Sequence, residues 1–345
     1  MGLEHGGNLG AAARRFNIPP QQWIDLSTGI SPWSWPVPAV PQHVWQALPY
    51  ADEQLEQAAA RYFGCSPQAV LAVPGSQYAL QYAPALLPVG RVAVPLRGYA
   101  EHRVAWMQAG HEIVDYADAG ALHALLAAAA VEHVLLINPN NPTAERLSLQ
   151  QLQDLHQRVH GKGGWLVVDE AFADPEPHAS LAAHCPLPGL IVYRSLGKFF
   201  GLAGVRLGFM LAPHQLCREL EAHMPPWLLS HPARWIGTAA LSDRQWQAEQ
   251  HARLAAAGQD WLHTLQQLLP ALQFRGTALF ATGAGDSTYC GDLYQSLARR
   301  AVLVRLFEDL AGQSLVRFGL PPPARREQVV RLIQAAVEEC TCATG

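Results

Sequence analysis

The stretch YRSLGKFFGLAGVRLG, residues 193–208, places one lysine and one arginine in an otherwise apolar segment that is punctuated by glycine. Small residues on both sides of Lys198 leave room for a flat ligand to approach its amine. Burial among the neighbouring aromatic side chains would disfavour the ammonium form and make this amine a better nucleophile. Eight residues later, Arg206 offers a planar, permanently charged fork that suits a phosphate group. A reactive lysine near a phosphate holder is what pyridoxal phosphate, an aldehyde that carries a phosphate, requires.

Around this stretch, helical patterns alternate with short apolar runs. The runs that read as strands lie at 69–73, 91–95, 112–116, 132–138, 165–170, 190–195 and 206–212. The intervening helices are predicted at 52–63, 76–87, 100–109, 119–130 and 148–160. Strands that are apolar on both faces and separated by helices indicate an α/β fold, a mostly parallel seven-stranded sheet sandwiched by helices. Ligands of such sheets bind at the carboxyl ends of the strands.

The two ends of the chain follow a different pattern. After a long predicted helix at 245–268 comes a smaller α+β part, with strands near 272–275, 278–282, 302–306 and 314–318 and helices at 289–300 and 324–338. The first 50 residues are irregular and rich in Pro, Gly and Trp, and we expect Trp33, Trp35 and Trp45 to anchor them. These patterns predict an N-terminal arm that joins the small domain (1–45), a large cofactor-binding domain (46–262) and a C-terminal small domain (263–345).

Composition narrows the class of protein. The chain has 345 residues, of which 50% are hydrophobic and 15% charged, with a net charge of −4, so it reads as a globular protein without the basic surplus of a nucleic-acid binder. We expect no membrane association and no export, because no apolar run approaches the length of a membrane span. The cysteines lack paired metal-ligand spacing, so we expect no metal, reduced thiols and a cytoplasmic protein. They are Cys65, Cys185, Cys217, Cys290, Cys340 and Cys342.

Three further positions are candidates for the site, and for two of them, Ser76 and Asp169, a purely structural role is also reasonable. Ser76 follows a strand and opens a helix, a place that attracts phosphate but is also common for helix capping. Asn141 lies in NPNNPT, where two Asn-Pro steps fix a rigid turn and leave a carboxamide pointing from it. Asp169 ends a strand, where it can keep a pyridine nitrogen protonated or simply cap a turn.

Together, SLGKFFGLAGVRLG, NPNNPT and DEAF resemble motifs of the class I/II aminotransferase family, the fold-type I pyridoxal phosphate enzymes. The resemblance implies that Lys198 binds the cofactor aldehyde, Asp169 pairs with the ring nitrogen, Asn141 contacts the ring hydroxyl and Tyr99 stacks on the ring. It also implies a set of residues that bind the cofactor phosphate: Ser76, Gln77, Ser195 and Arg206. The chain departs from the family pattern at Ala144, which is usually Gly, and at Phe172, which is often Tyr.

For the substrate, the resemblance implies that Arg317 binds the α-carboxylate and that Arg305 is a second arginine used for acidic or phosphorylated substrates. From the residues alone, each could equally be a solvated arginine on an edge strand. The stretches HGGN, LSTGISP, DEAF and MPPW resemble a branch of the family that decarboxylates L-threonine O-3-phosphate to (R)-1-amino-2-propanol O-2-phosphate, the linker of the cobalamin nucleotide loop. In that branch, further substrate contacts would come from His5, Gly6, Asn8, Gly29 and Asn141.

Two other functions stay open at this point. A histidinol-phosphate-type aminotransferase would use the same cofactor residues. The more distant alternative is a non-catalytic pyridoxal phosphate-binding regulatory module, against which the intact Lys198 argues. Family members are homodimers, so the resemblance also implies a homodimer in which Tyr50 reaches the cofactor phosphate of the neighbouring chain.

Overall fold

The structure, a computed structural model, describes residues 5–50, 54–308 and 312–342. These residues form two compact units. The small unit comprises the described residues of Met1–Trp33, Pro142–Ala144 and Glu249–Gly345, and the large unit comprises those of Ser34–Asn141 and Glu145–Ala248. The predicted domain limits at 45 and 262 stay a prediction, and positions 52 and 53 of the first predicted helix lie outside the described residues.

The secondary structure elements are numbered here in chain order. The helices are α1 (Leu9–Phe16), α2 (Gln42–Gln46), α3 (Gln54–Phe63), α4 (Ser76–Tyr82), α5 (Ala100–Gln108), α6 (Ala119–Ala127), α7 (Leu149–His160), α8 (His214–Ala222), α9 (His231–Ser242), α10 (Arg244–Leu268), α11 (Ser287–Arg299) and α12 (Arg326–Cys342). The strands are β1 (Ile24–Asp25), β2 (Val70–Val73), β3 (Arg91–Pro95), β4 (Glu112–Tyr116), β5 (His133–Ile137), β6 (Leu166–Asp169), β7 (Leu190–Ser195), β8 (Gly208–Leu211), β9 (Gln273–Gly276), β10 (Phe280–Asp286), β11 (Val302–Leu303), β12 (Arg305–Phe307) and β13 (Gln313–Gly319).

The large unit is built around a seven-stranded sheet with the order β2-β8-β7-β6-β5-β3-β4. Strand β8 runs antiparallel to β2 and β7, and the other neighbouring pairs are parallel. Every residue of β2, β5, β6 and β8 is buried, as expected for strands that are covered on both faces. The predicted fold class, α/β with a mostly parallel seven-stranded sheet, is confirmed.

Among the predicted elements whose bounds differ from the observed ones, two have a clear local cause. The helix predicted at 76–87 ends at Tyr82 and continues as a 3-10 turn, Ala83–Leu86, because Pro84 has no N–H to extend the α-helix. The strand predicted from position 206 begins at Gly208, because Arg206 has a φ of 54° in the left-handed region.

The small unit contains a four-stranded antiparallel sheet with the order β12-β13-β10-β9. Strand β1, near the start of the chain, pairs in parallel with β11, and Trp23 packs in a small core with Ala12 and Leu303. The N-terminal segment therefore belongs structurally to this unit. Among the described residues of both units, no helix combines the length and the apolar character needed to cross a bilayer.

The anchoring role predicted for the early tryptophans holds for Trp35. This side chain is buried, and its Nε1 donates to Oδ2 of Asp243 at 3.0 Å. The prediction is wrong for Trp45, which is 62% exposed. Helix α2 buries only Val44, and adjacent residues of a helix point in different directions.

Candidate functional site

Asp169, the last residue of β6, is held by two hydrogen-bond donors. Its Oδ2 lies 2.8 Å from Nε2 of His102, and its Oδ1 accepts the backbone N–H of Ala171 at 2.9 Å. A carboxylate can only accept hydrogen bonds, so the shared proton resides on Nε2 of His102. Both side chains are buried, which holds the carboxyl group in one orientation at the carboxyl end of a central strand. Sequence reasoning missed His102; the available signal was its position three residues after Tyr99 at the start of α5.

Lys198 is one of two lysines in the chain and lies in the loop that follows β7. It is half-buried, and its Nζ lies 5.1 Å from the ring centroid of Phe172. The other lysine, Lys162, donates from Nζ to the backbone oxygen of Leu126 at 2.8 Å. Lys162 thus contacts the backbone near the end of α6, whereas Lys198 lies beside an aromatic ring in the loop after β7, among the small residues that let a flat aldehyde approach an amine.

A narrow slot lies between Arg206 and the start of α4. Gly75 has a φ of 76° there, and a Cβ on it would lie 2.5 Å from Nη2 of Arg206. A Cβ on Gly208 would lie 2.2 Å from the backbone N of Ser76, and Ser195 pairs with Gly208 in the register of β7 and β8. The first N–H groups of a helix lack intrahelical partners and carry partial positive charge. With the guanidinium of Arg206, they fit a phosphate group.

Tyr99 connects this slot to the buried carboxylate. Its hydroxyl donates to Oε1 of Gln77 at 2.9 Å, and its ring meets the ring of His102 edge-on at 6.0 Å. Burial, followed by the charges of Glu101 and Asp169, raises the pKa of Tyr99 to about 12. The phenol therefore stays protonated at neutral pH and can act as a donor and as a flat apolar surface.

The NPNNPT turn after β5 is braced on both sides of Asn141. Asn138 accepts the backbone N–H of Leu147 at 2.8 Å, and Asn140 donates from Nδ2 to the backbone oxygen of Arg97 at 3.0 Å. Because β5 and β6 are neighbours in the sheet, Asn141 follows the strand next to the one that ends in the buried carboxylate.

In the small unit, Arg317 on β13 and Arg305 on β12 lie directly opposite each other in the antiparallel register. Arg317 is 4% exposed; its guanidinium lies 5.5 Å from the ring centroid of Phe280 and 5.6 Å from that of Phe307. It donates to the backbone oxygen of Ser27. Burial, and then the charge of Arg305, lowers the pKa of Arg317 to about 10, so it remains cationic at neutral pH. Two opposed cations, one of them buried, favour the binding of an anion.

A cavity of about 860 Å³ in the small unit collects several predicted substrate-binding residues. Its lining includes His5, Gly6, Asn8 and Arg305. Asn8 has a structural task as well, because its Oδ1 accepts the N–H of Ala11 at 3.0 Å and caps α1. A cavity of this size accommodates a small phosphorylated ligand.

The HGGN segment is seated on the residues that follow β1. The backbone N–H of Gly7 donates to Oγ of Ser27 at 2.8 Å, and that hydroxyl donates to Asp25 at 2.6 Å. A Cβ on Gly6 would lie 2.3 Å from the backbone oxygen of Ser27, so the close approach requires glycine. Gly29, two residues further along, has a φ of 65°. This docking orders a segment that the sequence alone could not distinguish from a frayed end.

The predicted cofactor-binding residues belong to the large unit, and the predicted substrate-binding residues, apart from Asn141, belong to the small unit. Tyr50 lies in the large unit and is 72% exposed. The roles assigned to individual residues stay predictions.

Comparisons with known proteins give a consistent result. The family model "Aminotransferase class I and II" matches residues 42–335. Threonine-phosphate decarboxylase of Pseudomonas aeruginosa is 45% identical over 325 residues, which cover 92% of this chain and 93% of that protein. Threonine-phosphate decarboxylase of Salmonella typhimurium is 30% identical over 89% of each chain. The crystal structure of histidinol-phosphate aminotransferase from Sinorhizobium meliloti in complex with pyridoxal-5'-phosphate matches with a TM-score of 0.81 and 22% identity, over 99% of this chain and 96% of that one. At that identity, the structural match shows the fold alone.

Proposed function

Since the chain belongs to the aminotransferase class I and II family, we propose that it catalyses the pyridoxal phosphate-dependent decarboxylation of L-threonine O-3-phosphate. The observation that carries the proposal is the high identity to a threonine-phosphate decarboxylase over nearly the whole chain. The opposed pair Arg305 and Arg317 supports the same substrate, because a phosphorylated amino acid brings two anionic groups.

The large unit has the donor set that pyridoxal phosphate requires. When bound, this cofactor supplies an electron-accepting ring for the electron pair that decarboxylation leaves on Cα of the substrate. Lys198 would hold its aldehyde carbon, and Asp169, oriented by His102, would keep a proton on the ring nitrogen. The start of α4 at Ser76 and the guanidinium of Arg206 would hold the phosphate.

The small unit supplies the residues for the substrate anions. Arg317 would bind the carboxylate, and Arg305, with His5 from the same cavity, would bind the phosphate. In the reaction, the bond from Cα to the carboxyl carbon breaks and CO₂ leaves, and the side chain of Lys198 would donate one proton to Cα in place of the lost carboxylate. The product is (R)-1-amino-2-propanol O-2-phosphate, the linker used in cobalamin biosynthesis.

The proposal is tested by supplying L-threonine O-3-phosphate with no 2-oxo acid and measuring CO₂. We expect stoichiometric CO₂ and aminopropanol phosphate, and much slower release from unphosphorylated L-threonine as the matched substrate. Consumption of 2-oxoglutarate with histidinol phosphate, without CO₂ release, would contradict the proposal and support the aminotransferase. If protein that has bound the cofactor catalyses neither reaction, the result would support a regulatory module.

We also propose that the protein is a homodimer. Large aromatic side chains are exposed in neighbouring segments of the large unit: Trp45 is 62% exposed, Tyr50 72% and Trp227 51%. His231, close after Trp227, lies 3.3 Å from the backbone oxygen of Ala47, which brings the two segments together. Exposed apolar clusters of this kind are typical of protein interfaces. Sedimentation should give a dimer; a fully active monomer would contradict this proposal.

A cytoplasmic location is proposed from the cysteines. All five cysteines with described side chains are free thiols. Burial raises the pKa of the Cys65 thiol to about 11, so it is unreactive near neutral pH. Free thiols are typical of a reducing compartment, and cell fractionation with thiol labelling tests the assignment.

A further inference from the structure

One face of α1 forms part of the small-unit cavity. Its lining includes Asn8, Ala11, Ala12 and Arg15, whose spacing of three, one and three residues places them on the same side of the helix. The small side chains of the two alanines leave space along this face, and Arg15 lies at its C-terminal end. Arg14, the next residue on the same helix, is exposed and does not line the cavity in the described part of the chain.

The guanidinium of Arg15 is held by aromatic rings. It lies 5.4 Å from the ring centroid of Phe16 and 5.9 Å from that of Tyr294, which also lines the cavity. Stacking fixes the plane of a guanidinium and leaves the N–H donors along its edge available to a ligand. Among the described residues, Arg15 forms no salt bridge with a carboxylate, although Glu308 also lines the cavity.

The same cavity contains Arg305, the arginine assigned to the substrate phosphate. Its volume of about 860 Å³ lies in the range that holds drug-sized ligands, so a phosphate monoester bound there has room to contact Arg15 as well as Arg305. We propose that Arg15 is a specificity-determining residue that binds phosphate monoesters in this cavity. The identity of the monoester rests on the proposed function, whereas the anion-binding position does not.

Calorimetric titration of inorganic phosphate into the holoenzyme tests the position directly, because bound cofactor occupies the phosphate slot of the large unit. Arg15→Gln is expected to weaken phosphate binding roughly three- to tenfold, as for a solvent-exposed charge. Arg15→Lys keeps the charge but loses the planar fork and should lie between the wild type and Arg15→Gln. Arg14→Gln removes the same charge from the same helix and should leave the affinity within about twofold.

Kinetics provide the second measurement. Arg15→Gln should raise KM for L-threonine O-3-phosphate by the same factor and leave kcat unchanged, because the residue acts in binding. Equal effects of Arg15→Gln and Arg14→Gln, or a wild-type holoenzyme that binds no phosphate, would overturn the proposal. If the wild type releases no CO₂ but its phosphate affinity depends on Arg15, the proposed function fails and the anion-binding position stands.

Discussion

The two units of the chain bury charge in opposite ways. In the large unit, Arg194 donates to Glu170 at 2.8 Å and to Asp174 at 2.6 Å, and all three side chains are at most 3% exposed. In the small unit, buried Arg317 faces another arginine, and its pKa is lowered. In the first arrangement the buried cation is paired with two carboxylates, whereas in the second two cations lie opposite each other, with an added attraction from Asp25, and a bound anion would favour the pair further. The large unit thus resembles a preformed cofactor scaffold, and the small unit a receptor for anions.

Lys198→Ala, in the large unit, should cause the largest loss of activity of any variant considered. Removing the only amine suited to hold the cofactor aldehyde should lower kcat by more than about 10³-fold. Lys162→Ala is the matched control, because it removes the other lysine of the chain and should leave kcat nearly unchanged. Steady-state CO₂ release measures both variants. Similar losses in the two would remove the distinction between a reactive and a structural lysine.

Arg194→Gln tests how much the buried ion pairs of the large unit contribute to its stability. The variant leaves Glu170 and Asp174 buried without their cation, which should lower the free energy of unfolding by about 3–5 kcal/mol. Denaturant unfolding followed by fluorescence measures the loss. Arg331→Gln, at an exposed pair 3.9 Å from Glu327, serves as control and should cost less than about 1 kcal/mol.

Arg317→Gln, in the small unit, should reduce activity strongly and stability less than Arg194→Gln does. If Arg317 binds the substrate carboxylate as proposed, losing this charged hydrogen-bond donor should lower kcat/KM roughly 10- to 150-fold. The free energy of unfolding should fall by less than for Arg194→Gln, because the loss of the hydrogen bond to the backbone oxygen of Ser27 is partly offset by removal of a cation that lies opposite Arg305. A stability loss as large as that of Arg194→Gln, with activity retained, would show that the contrast between the units is wrong.

The smallest effect concerns pH. Burial lowers the pKa of His133 in the large unit, where its Nε2 contacts the backbone oxygen of Pro88 at 2.8 Å and its Nδ1 accepts the N–H of Trp165 at 3.2 Å. Below the unfolded pKa of about 6.5 the unfolded chain binds the proton more readily, so stability is full above that pH and declines as pH falls. His133→Gln, which keeps a donor and an acceptor, should flatten the decline in Tm; His178→Gln, at an exposed histidine, should not.

Much of the large unit follows from local sequence. The bounds of β3, β4 and β7 match the predicted runs at 91–95, 112–116 and 190–195, because each apolar run is set off from its neighbours by a change of pattern. The direction of β8 does not follow, since a buried strand has the same apolar pattern in either direction. The link from β7 to β8 contains no crossover helix, and the strands lie antiparallel.

Contacts between distant residues set the limit for the candidate site. His102 on α5 and Asp169 at the end of β6 are 67 positions apart, and only the tertiary fold brings them together. The opposition of Arg305 and Arg317 depends on strand register, which the sequence does not reveal. The sequence shows Arg15 only as a basic residue near the end of a short helix. Its proposed role depends on the cavity that α1 helps to form, which the sequence does not reveal.

The central claim is that Lys198 is the amine that holds pyridoxal phosphate. Borohydride reduction of the cofactor-loaded protein, followed by proteolysis and mass spectrometry, tests it directly because only two lysine side chains are available. The account predicts one reduced cofactor per chain on the peptide that contains Lys198 and none on the peptide that contains Lys162. A label on Lys162, or no label on either peptide, would contradict it.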